Sequence, residues 1–470
     1  MSGIMMQLLG TASGADPGNF FAVRGNNGTV NNPWNDAHRC NQVIIDEDYN
    51  VYSGWTIASN NSVQGALLKQ DSSGGIIYKK SLGGSASTNY NSVQGMSFDS
   101  AGRLHILNCS SPSYGNNYAL NCLDPSDGSI TYSRGITVGQ PENGNDPSMS
   151  DLLRLTSNGK IVCGYATKTG TYSQRIITML WTPGSSSYTL NRAGQYEFQG
   201  AIGTVRGNGP YFVSSYDNKS WVCADTASRN GISSFSDSGS TGGFGISYYR
   251  NYAKFHYMND STGNWYWSNC AGSEAGNYVY FMKYNASGSH QWTRKFGPAT
   301  SSSYLSAIYT YYGGAWEDSN GDVYLSMGSR NPSSGYANEN NMTVFKLNSS
   351  GVTQWARRFW ITSRDSYAAN IYGDTKDDGA IYLTTQQNHQ YFVKYPKDGN
   401  LTGSWNLGGQ NLNISSDVGI NNSSNSSYSN ISSGAYNPDF TNTNYTVPTS
   451  GYPLTVSNMS NNPPTALNLT

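Results

Sequence analysis

The chain has 470 residues, enough for two or three average domains or for one large closed β architecture. Charged residues make up only 12% of it, and 28 basic against 29 acidic residues leave a formal net charge of -1. This balance, with no basic block interleaved with aromatic residues, gives no electrostatic basis for binding nucleic acid or an acidic membrane surface. The 53 Gly and 36 Tyr residues, with abundant Asn and Ser, favour strands joined by tight turns.

The N-terminal stretch, MSGIMMQLLGTASGADPGNFF, has no Lys or Arg before its short apolar run. It lacks the basic start and the length of a secretory signal, and no later apolar run is long enough to span a membrane. We expect either a protein used without Sec export or one whose leader has been replaced by this Met. Residues 1–37 are predicted to form an N-terminal arm, in which FFAVRG (20–25) adds a closing strand to the last unit of the repeat that follows.

A Gly-centred pattern recurs along residues 38–409 and predicts one repeated unit. Segments such as DSAGRLHIL (99–107) and DSNGDVYLS (318–326) place a tight turn before an alternating apolar strand. The pattern recurs seven times with a period of about 55 residues, which is typical of a propeller or a solenoid. The turn apex residues are Tyr49, Gly102, Gly159, Gly209, Gly263, Gly321 and Gly379.

Each unit carries a second hairpin downstream. It is clearest in ALLKQDSSGGIIYKKSLGG (66–84) and YFVKYPKDGNLTGSWNLGG (391–409), and in the fourth unit only SWVCADTASRNGISSF (220–235) remains. Two hairpins make a four-stranded sheet, which buries both faces only when it stacks against neighbours around an axis. The predicted fold is all-β, a seven-bladed β-propeller of four-stranded blades with extended N- and C-terminal arms. Its repeats lie near 38–84, 85–137, 138–194, 195–240, 241–297, 298–360 and 361–409.

The carboxylates of DSNGDVY (318–324) could belong to a calcium loop, to a hydrolase site or to a turn. Three of the seven copies lack Asp at the first position, which suits a turn and not a shared cation site. We therefore predict that Asp318 and Asn320 bond local backbone N–H groups and that Gly321 adopts a positive φ. No metal site is predicted.

Three segments resemble one known family: DSNGDVYLSMG (318–328), DEDYNVYSGWT (46–56) and ALLKQDSSGGIIYKKSLGG (66–84). They are similar to the bacterial β-propeller repeat family, whose units pair a D-x-x-G-N-hydrophobic-Y turn with a second hairpin that carries a Lys and a Trp or Tyr. The resemblance covers roughly residues 38–409 and is clearest in units one, five, six and seven. It implies the propeller fold and carries over no catalytic residues, because members of the family do not share one activity.

Residues 410–470 differ from the repeats, since no Lys or Arg follows Lys397 and Asn, Ser and Thr dominate. Such a polymer alone is typical of a flexible tail. Apolar residues spaced by polar ones, as in YTVPTSGYPLTV (445–456), could instead add edge strands to a partner. We predict a polar C-terminal arm that, with the N-terminal arm, attaches the propeller to other proteins.

The sequence contains no recognisable motif for a catalytic, cofactor or metal site. No GxSxG, HExxH, P-loop or Rossmann fingerprint occurs, and Cys and His lack metal-site spacing. His105, in the strand-like RLHIL, is expected in the core or near the axis. The chain is therefore predicted not to be an enzyme and to need no cofactor. The five histidines are His38, His105, His256, His290 and His389.

Three enzyme alternatives remain open. A glycosidase needs two carboxylates brought together, and most candidates belong to the repeated turn. A sialidase-like site needs an arginine cluster, and several arginines end repeat strands. A quinone-dependent dehydrogenase propeller lacks a supporting cofactor motif. The candidate carboxylates are Glu274, Glu317, Asp318, Asp374, Asp377 and Asp378, and the arginines are Arg250, Arg294, Arg330, Arg357 and Arg358.

Two aromatic clusters, ISYYRNYAKFHY (246–257) and AIYTYYGGAW (307–316), provide candidate binding residues. Tyr offers rigid contact area with a polar tip, which suits stacking on sugars or a protein interface. The alternative is packing between blades, because both segments lie just before a turn. The candidate binding residues are Tyr248, Tyr249, Tyr311, Tyr312 and Trp316.

These observations favour a non-enzymatic structural protein of a bacteriophage virion, a tail or capsid decoration at the virion surface. Low charge, the Tyr, Gly, Ser and Asn bias, the missing export signal and the polar ends point this way. We expect multi-copy assembly through the terminal arms with other virion proteins, and contact with host-surface glycans amplified by copy number. The alternatives are a secreted carbohydrate-binding, lectin-like propeller and a glycoside hydrolase with a site on the axis.

Overall fold

The fold is described from a computed structural model. The described residues form β-strands joined by turns. They contain no helix, and therefore no helix that could cross a membrane. The described residues are 5–8, 20–24, 39–59, 62–82, 90–111, 117–138, 148–149, 153–168, 173–199, 212–217, 219–226, 229–236, 239–247, 253–259, 261–271, 278–298, 307–309, 314–330, 341–361, 370–375, 379–386, 391–406, 411–416, 418, 420–424, 440–445, 454–458 and 466–468.

Sheets 1 to 3 are antiparallel and follow the chain in strand order. Sheet 1 consists of β3 (Arg39–Ile45), β4 (Val51–Ser59), β5 (Ser62–Gln70) and β6 (Ile76–Leu82). Sheet 2 consists of β7 (Tyr90–Phe98), β8 (Leu104–Ser111), β9 (Asn117–Leu123) and β10 (Ile130–Val138). In sheet 3 the first position is shared by β11 (Ser148–Met149) and β12 (Arg154–Leu155), followed by β13 (Ile161–Lys168), β14 (Ser173–Pro183) and β15 (Tyr188–Gln199). Among the described strands, one parallel backbone pair, Val63 opposite Tyr90, joins sheets 1 and 2.

Sheets 4 to 6 repeat this arrangement. Sheet 4 consists of β16 (Phe212–Tyr216), β17 (Lys219–Thr226), β18 (Arg229–Ser236) and β19 (Gly239–Ser247). Sheet 5 consists of β20 (Ala253–Met258), β21 (Trp265–Ala271), β22 (Tyr278–Tyr284) and β23 (His290–Pro298). Sheet 6 begins with β24 (Ala307–Tyr309) and β25 (Ala315–Glu317), followed by β26 (Val323–Arg330), β27 (Asn341–Leu347) and β28 (Thr353–Ile361).

Sheet 7 combines the last strands of the repeat region with two strands of the N-terminal segment. Its strands β29 (Asn370–Thr375), β30 (Ala380–Gln386) and β31 (Tyr391–Pro396) are followed by β2 (Phe21–Arg24) and then β1 (Met5–Leu8). The register sets Phe21 opposite Lys394 and Arg24 opposite Tyr391. The prediction that residues 20–25 add a strand to the last unit is therefore confirmed.

The second hairpin predicted for the last unit, residues 391–409, is wrong in its second strand. Residues Gly403–Asn406 form β32, which pairs with β33 (Asn411–Ser415), and β33 extends sheet 6 by pairing with β28. The physical reason is that a strand has two edges. One edge of β31 pairs with β30 and the other with β2, so β32 has no place in sheet 7.

The fourth unit also differs from the sequence prediction. The turn expected at Gly209 lies outside the described residues, and the first hairpin of sheet 4 turns at Asp217, where φ is 53°. Residues 195–199 end the last strand of sheet 3, and β19 extends beyond residue 240. A turn without Gly carries no glycine signal, so the sequence did not point to the turn at Asp217.

The turns between the first and second strands behave as predicted. Gly102, Gly159, Gly263, Gly321 and Gly379 have φ between 68° and 80°, and Tyr49 has φ of 61°. In the sixth unit the Asp318 carboxylate accepts the backbone N–H groups of Asn320 and Asp322, both at 2.9 Å. Asp318 is therefore a turn residue, as expected.

The first strands of the seven sheets contact one another in series. β3 contacts β7, β7 contacts β12, β12 contacts β16, and β16 contacts β20. The series continues from β20 to β25, from β25 to β29, and from β29 back to β3. Apolar cores fill the spaces between sheets. For example, Trp55 of sheet 1 and Tyr382 of sheet 7 share one core with Phe21, and all three are fully buried.

A second feature repeats between sheets: an aromatic ring on the fourth strand covers the outer turn of the next sheet. Trp292 in sheet 5 donates its indole N–H to Ser349 O (2.9 Å), and Trp355 in sheet 6 donates to Lys397 O (3.1 Å). Tyr132 in sheet 2 donates its hydroxyl to Gly184 O at 2.7 Å. Each acceptor lies in the tight turn that follows the third strand of the next sheet.

The ring leaves no room for a side chain at the turn. A Cβ added at Gly399 would lie 2.7 Å from Cδ2 of Trp355, and one at Gly128 would lie 2.8 Å from Cε2 of Tyr78. Between sheets 7 and 1 the same position is taken by Phe21, whose Cγ would lie 2.8 Å from a Cβ at Gly74. The N-terminal strand thus supplies the aromatic ring that the seventh unit would otherwise lack.

The C-terminal segment follows the outer edges of the sheets in reverse order. After β33 on sheet 6, β34 (Ile420–Ser424) pairs with β23 of sheet 5, and β35 (Phe440–Tyr445) pairs with β15 of sheet 3. Then β36 (Leu454–Asn458) pairs with β10 of sheet 2, and β37 (Ala466–Asn468) pairs with β6 of sheet 1. We call β33 to β37 the belt. Its strands add to this chain's own sheets.

We predict that Gly399→Ala destabilises the protein more than Gly379→Ala. Both glycines lie in sheet 7 with nearly the same φ, 74° and 75°, so both variants bear the left-handed penalty of roughly 1–2 kcal/mol. Only Gly399 faces a ring, whereas an added Cβ at Gly379 meets nothing within 4 Å. Overpacking should add about 1–3 kcal/mol at Gly399, measured by denaturant unfolding. Equal losses would contradict the packing role of Trp355.

Candidate functional site: polar groups buried between sheets

The structure describes only one of the five aromatic binding candidates. Tyr248, Tyr249, Tyr311 and Tyr312 lie outside the described residues. Trp316 is 3% exposed, and its ring stacks on Tyr324 with centroids 5.7 Å apart. Because side chains alternate along β25, Trp316 points into the core shared with sheet 7, so it does not belong to an exposed aromatic surface.

Two of the hydrolase candidates are held in contacts between sheets. Glu317 is buried and lies 3.5 Å from Lys283 Nζ of sheet 5, and Asn264 Nδ2 donates to its Oε1 at 3.0 Å. The Asp318 carboxylate lies 3.2 Å from Lys397 Nζ of sheet 7. Both carboxylates are thus engaged by the neighbouring sheets and are not placed as a free acid–base pair.

Of the remaining candidates, some arginines also contact a neighbouring sheet, and several residues lie outside the part of the chain that the structure describes. Arg294 donates to Ser350 O at 2.7 Å, and Arg357 donates to Gly399 O at 2.6 Å, so both hold the next sheet's outer turn. Arg358 lies over the ring of Trp360, 4.2 Å from its centroid. For Asp374 and Arg330 only the backbone is described. Glu274, Asp377, Asp378 and Arg250 lie outside the described residues.

A connected group of titratable side chains lies at the boundary between sheets 2 and 3. His105, on β8, is fully buried, which confirms its expected place in the core. Its Nε2 lies 3.0 Å from Asp99 Oδ2, and its Nδ1 lies 2.7 Å from the Tyr188 hydroxyl of sheet 3. A carboxylate only accepts, so Nε2 carries the proton and the Tyr188 O–H donates to Nδ1.

Arg103 completes this group from the partly exposed side. Its guanidinium pairs with Asp99 at 2.7 Å and donates to Gly184 O, the same carbonyl that Tyr132 holds. Burial lowers the pKa of His105, although the Asp99 carboxylate opposes the shift. Burial alone would raise the pKa of Asp99, but the hydrogen bonds from His105 and Arg103 hold it below its ordinary value. The favoured state is therefore a neutral His beside an ionised Asp.

This Asp–His–Tyr chain resembles the hydrogen-bond order of a base and its orienting acid, but a substrate has no access to it. His105 is fully buried and Tyr188 is only 2% exposed. Burial also raises the pKa of Tyr188 well above its ordinary value, so the phenol stays protonated. Nearby, burial raises the pKa of the Cys163 thiol to about 12, which leaves no thiolate nucleophile. The chemistry of the group is to bind sheet 2 to sheet 3.

Sequence reasoning placed His105 but missed its partners. Asp99 and His105 are six residues apart, on either side of the predicted turn, which is a signal that a hairpin would bring them together. Tyr188 is 83 residues from His105, and no local pattern links the two. No group of His, Cys, Asp and Glu that could hold a metal occurs among the residues described.

Acidification is expected to weaken the protein through His105. Its folded pKa lies below the ordinary 6.5, so stability is full above that value and falls as the unfolded chain takes up protons below it. The contribution of one group is at most about 1.4 kcal/mol per pH unit. Burial also lowers the pKa of His290, so the single-group effect must be isolated.

The matched variant for this isolation is His105→Gln, which keeps a polar side chain and removes the titration. Denaturant unfolding between about pH 7.5 and about pH 5 should show a smaller loss of stability in the variant. If both proteins lose stability equally, His105 does not exclude a proton in the folded state.

Comparisons with known proteins give structural likeness only. No protein-family model and no curated protein match the sequence. Among solved structures, the chain is similar to the Dos1 propeller, with a TM-score of 0.40 and 13% identity, covering 76% of this chain and 78% of that one. It is also similar to the WD40 domain of SCAP from fission yeast, with a TM-score of 0.38 and 9% identity, covering 83% and 98%. Likenesses this remote carry no information on activity or ligands.

Proposed function

We propose that this chain is a non-enzymatic structural protein of a bacteriophage virion, a tail or capsid decoration built as a closed seven-bladed β-propeller. It is displayed in multiple copies at the virion surface and contacts host-surface glycans. The observation that carries the proposal is that the chain's own termini add outer strands to sheets 1, 2, 3, 5, 6 and 7 among the strands described. An uncovered edge is a template for pairing with another chain, and crowded copies make this hazard severe.

Closure of the ring is supported by contacts at the boundary between sheets 7 and 1. Phe21 lies on Gly74 and packs edge-on against Phe392, with ring centroids 5.5 Å apart. Lys394 Nζ donates to Ser72 O at 3.0 Å, as Lys69 does to Pro125 O of sheet 2 at the same distance. The contact of β29 with β3 is of the kind that relates the other first strands. When the sheets close into a ring, every sheet has a neighbour on both faces, and no apolar face is left exposed.

The absence of catalysis is supported by how the charged groups are used. The buried carboxylates of Asp99, Glu317 and Asp318 each accept from side chains or backbone groups that fasten turns and sheets together. Catalytic groups, in contrast, must be open to a substrate and aimed at it. This use of charge favours a rigid scaffold over a hydrolase.

Two ends of the sheets are distinguished by their connections. The tight turns that the structure describes follow the first or the third strand of a sheet, as Asp46–Asn50 and Asp71–Gly75 do, so they share one end. The other connections leave from the opposite end and vary in length, as surface loops with binding roles do. We place glycan contact at this opposite end, with Tyr248 and Tyr249 in the connection between sheets 4 and 5.

The test of the virion role is co-sedimentation. The protein should sediment with intact particles from its native source and remain with them in gradients, in several copies per particle. Recovery only as a free or glycosylated protein would contradict the proposal and favour a secreted lectin. Hydrolysis of glycan substrates that is lost in Glu317→Ala or Asp374→Ala would overturn the non-enzymatic assignment.

The aromatic candidates make a separate prediction about binding. The combined variant Tyr248→Ala and Tyr249→Ala should reduce binding to host cells or glycan arrays, with little change in unfolding midpoint. Trp316→Ala is the control for an aromatic residue that packs in the core. Its truncation should lower the stability by about 3–5 kcal/mol. Unchanged binding by the Tyr variant would remove these residues from the proposed site.

A further inference from the structure

The belt runs against the order of the sheets. The sheets follow one another from 1 to 7 along the chain, and the belt strands then lie on sheets 6, 5, 3, 2 and 1. The chain therefore crosses the boundaries between sheets 1 and 6 twice, once through the repeat connections and once through the belt. Two sheets cannot separate at these boundaries while the belt stays paired.

From this topology we infer that the belt is a strap that fastens after the sheets have assembled and slows their unfolding. The inference concerns the fold and does not depend on the proposed virion role. It rests on where the belt pairs, on what each belt strand needs before it can pair, and on how far each pair is separated along the chain.

Each belt strand needs a finished sheet. β35 pairs only with β15, the fourth strand of sheet 3, and β36 pairs only with β10, the fourth strand of sheet 2, among the strands described. Neither strand can add to its sheet before that outer strand is in place. The belt is therefore the last layer to form.

The large sequence separation between each belt strand and its partner strand also indicates that the belt forms after the sheets. The register sets Gln195 opposite Thr443 and Ile136 opposite Val456. Contacts between such distant segments carry a large loop-closure entropy and form late, after the contacts within each hairpin. Interactions absent from the folding transition state act on the unfolding rate and leave the folding rate nearly unchanged.

Backbone pairing is the common feature of β34 to β37, whose sequences INNSS, FTNTNY, LTVSN and ALN share no pattern. β33 differs, because Leu412 and Ile414 are buried in the core between sheets 6 and 7. Removing backbone donors from β35 and β36 should therefore weaken the strap and leave the core between sheets intact.

The test uses the full chain with proline pairs in two belt strands: Thr443→Pro with Asn444→Pro, and Thr455→Pro with Val456→Pro. In an antiparallel pair, one of two consecutive residues makes the hydrogen bonds to its neighbour, so each proline pair removes a ladder donor. The control carries alanine at the same four positions and keeps every donor. Unfolding and refolding rates follow from the fluorescence of the 11 Trp residues.

We expect the proline variant to unfold at least about tenfold faster than the alanine variant, with refolding rates equal within about twofold. Equal unfolding rates would overturn the strap. Refolding slowed as much as unfolding is accelerated, or a proline variant that does not fold, would also overturn it, because the belt would then be needed to build the sheets.

A second measurement adds no proline to the chain. Gln195→Cys with Thr443→Cys places two cysteines at opposite positions of β15 and β35, close enough for a disulfide. The oxidised form should unfold at least about tenfold more slowly than the same variant when reduced. Equal rates in the two redox states would show that the belt stays paired through the unfolding barrier, which contradicts the inference.

Discussion

The structure depends on one repeated contact, an aromatic ring on the fourth strand of a sheet that lies on the glycine turn of the next sheet. The contact combines three demands. The turn needs a positive φ, the ring needs space where a Cβ would lie, and the turn carbonyl needs a donor. Trp355 and Gly399 show all three, since the indole N–H bonds the turn while the ring fills the space beside the glycine.

This contact also gives a reason for the position of the N-terminal segment. The last unit has three strands of its own, and the fourth is β2, whose Phe21 covers the turn of sheet 1 at Gly74. Because Phe has no polar tip, it cannot donate to the turn as Trp and Tyr do. Lys394 supplies the missing donor to the Ser72 carbonyl. The boundary between sheets 7 and 1 is thus closed by Phe21 and Lys394, which lie far apart in sequence.

Charge has a corresponding role in this account. Two buried ion pairs join neighbouring sheets, Lys283 with Glu317 and Lys397 with Asp318, and His105 lies against Asp99 within sheet 2. Buried pairs of this kind cost solvation and contribute mainly by fixing which groups meet. The termini then add outer strands to sheets 1, 2, 3, 5, 6 and 7 among the strands described.

The sequence predicts the features that depend on local rules, and it fails where distant segments compete. The Gly-centred turns and the Trp or Tyr of the second hairpin are visible because turn conformation and strand alternation act within a few residues. Residues 403–406 have the pattern of a fourth strand, yet β2 occupies the edge that they would need. The pairing of the C-terminal strands with the chain's own sheets, and the hydrogen bond from Tyr188 to His105, arise only in the folded arrangement. For the candidate site, the sequence placed His105 in the core, but Trp316 is buried where exposure had been considered.

The most direct test of the central claim is a double-mutant cycle at the boundary between sheets 7 and 1. Gly74→Ala should cost more stability in the wild-type protein than in a Phe21→Ala background, where the ring no longer opposes the added Cβ. The account predicts a coupling energy of at least about 1 kcal/mol, within the range found for residues in direct contact. Equal costs of Gly74→Ala in the two backgrounds would show that the Phe21 ring does not lie on the Gly74 turn of sheet 1, and would contradict the account.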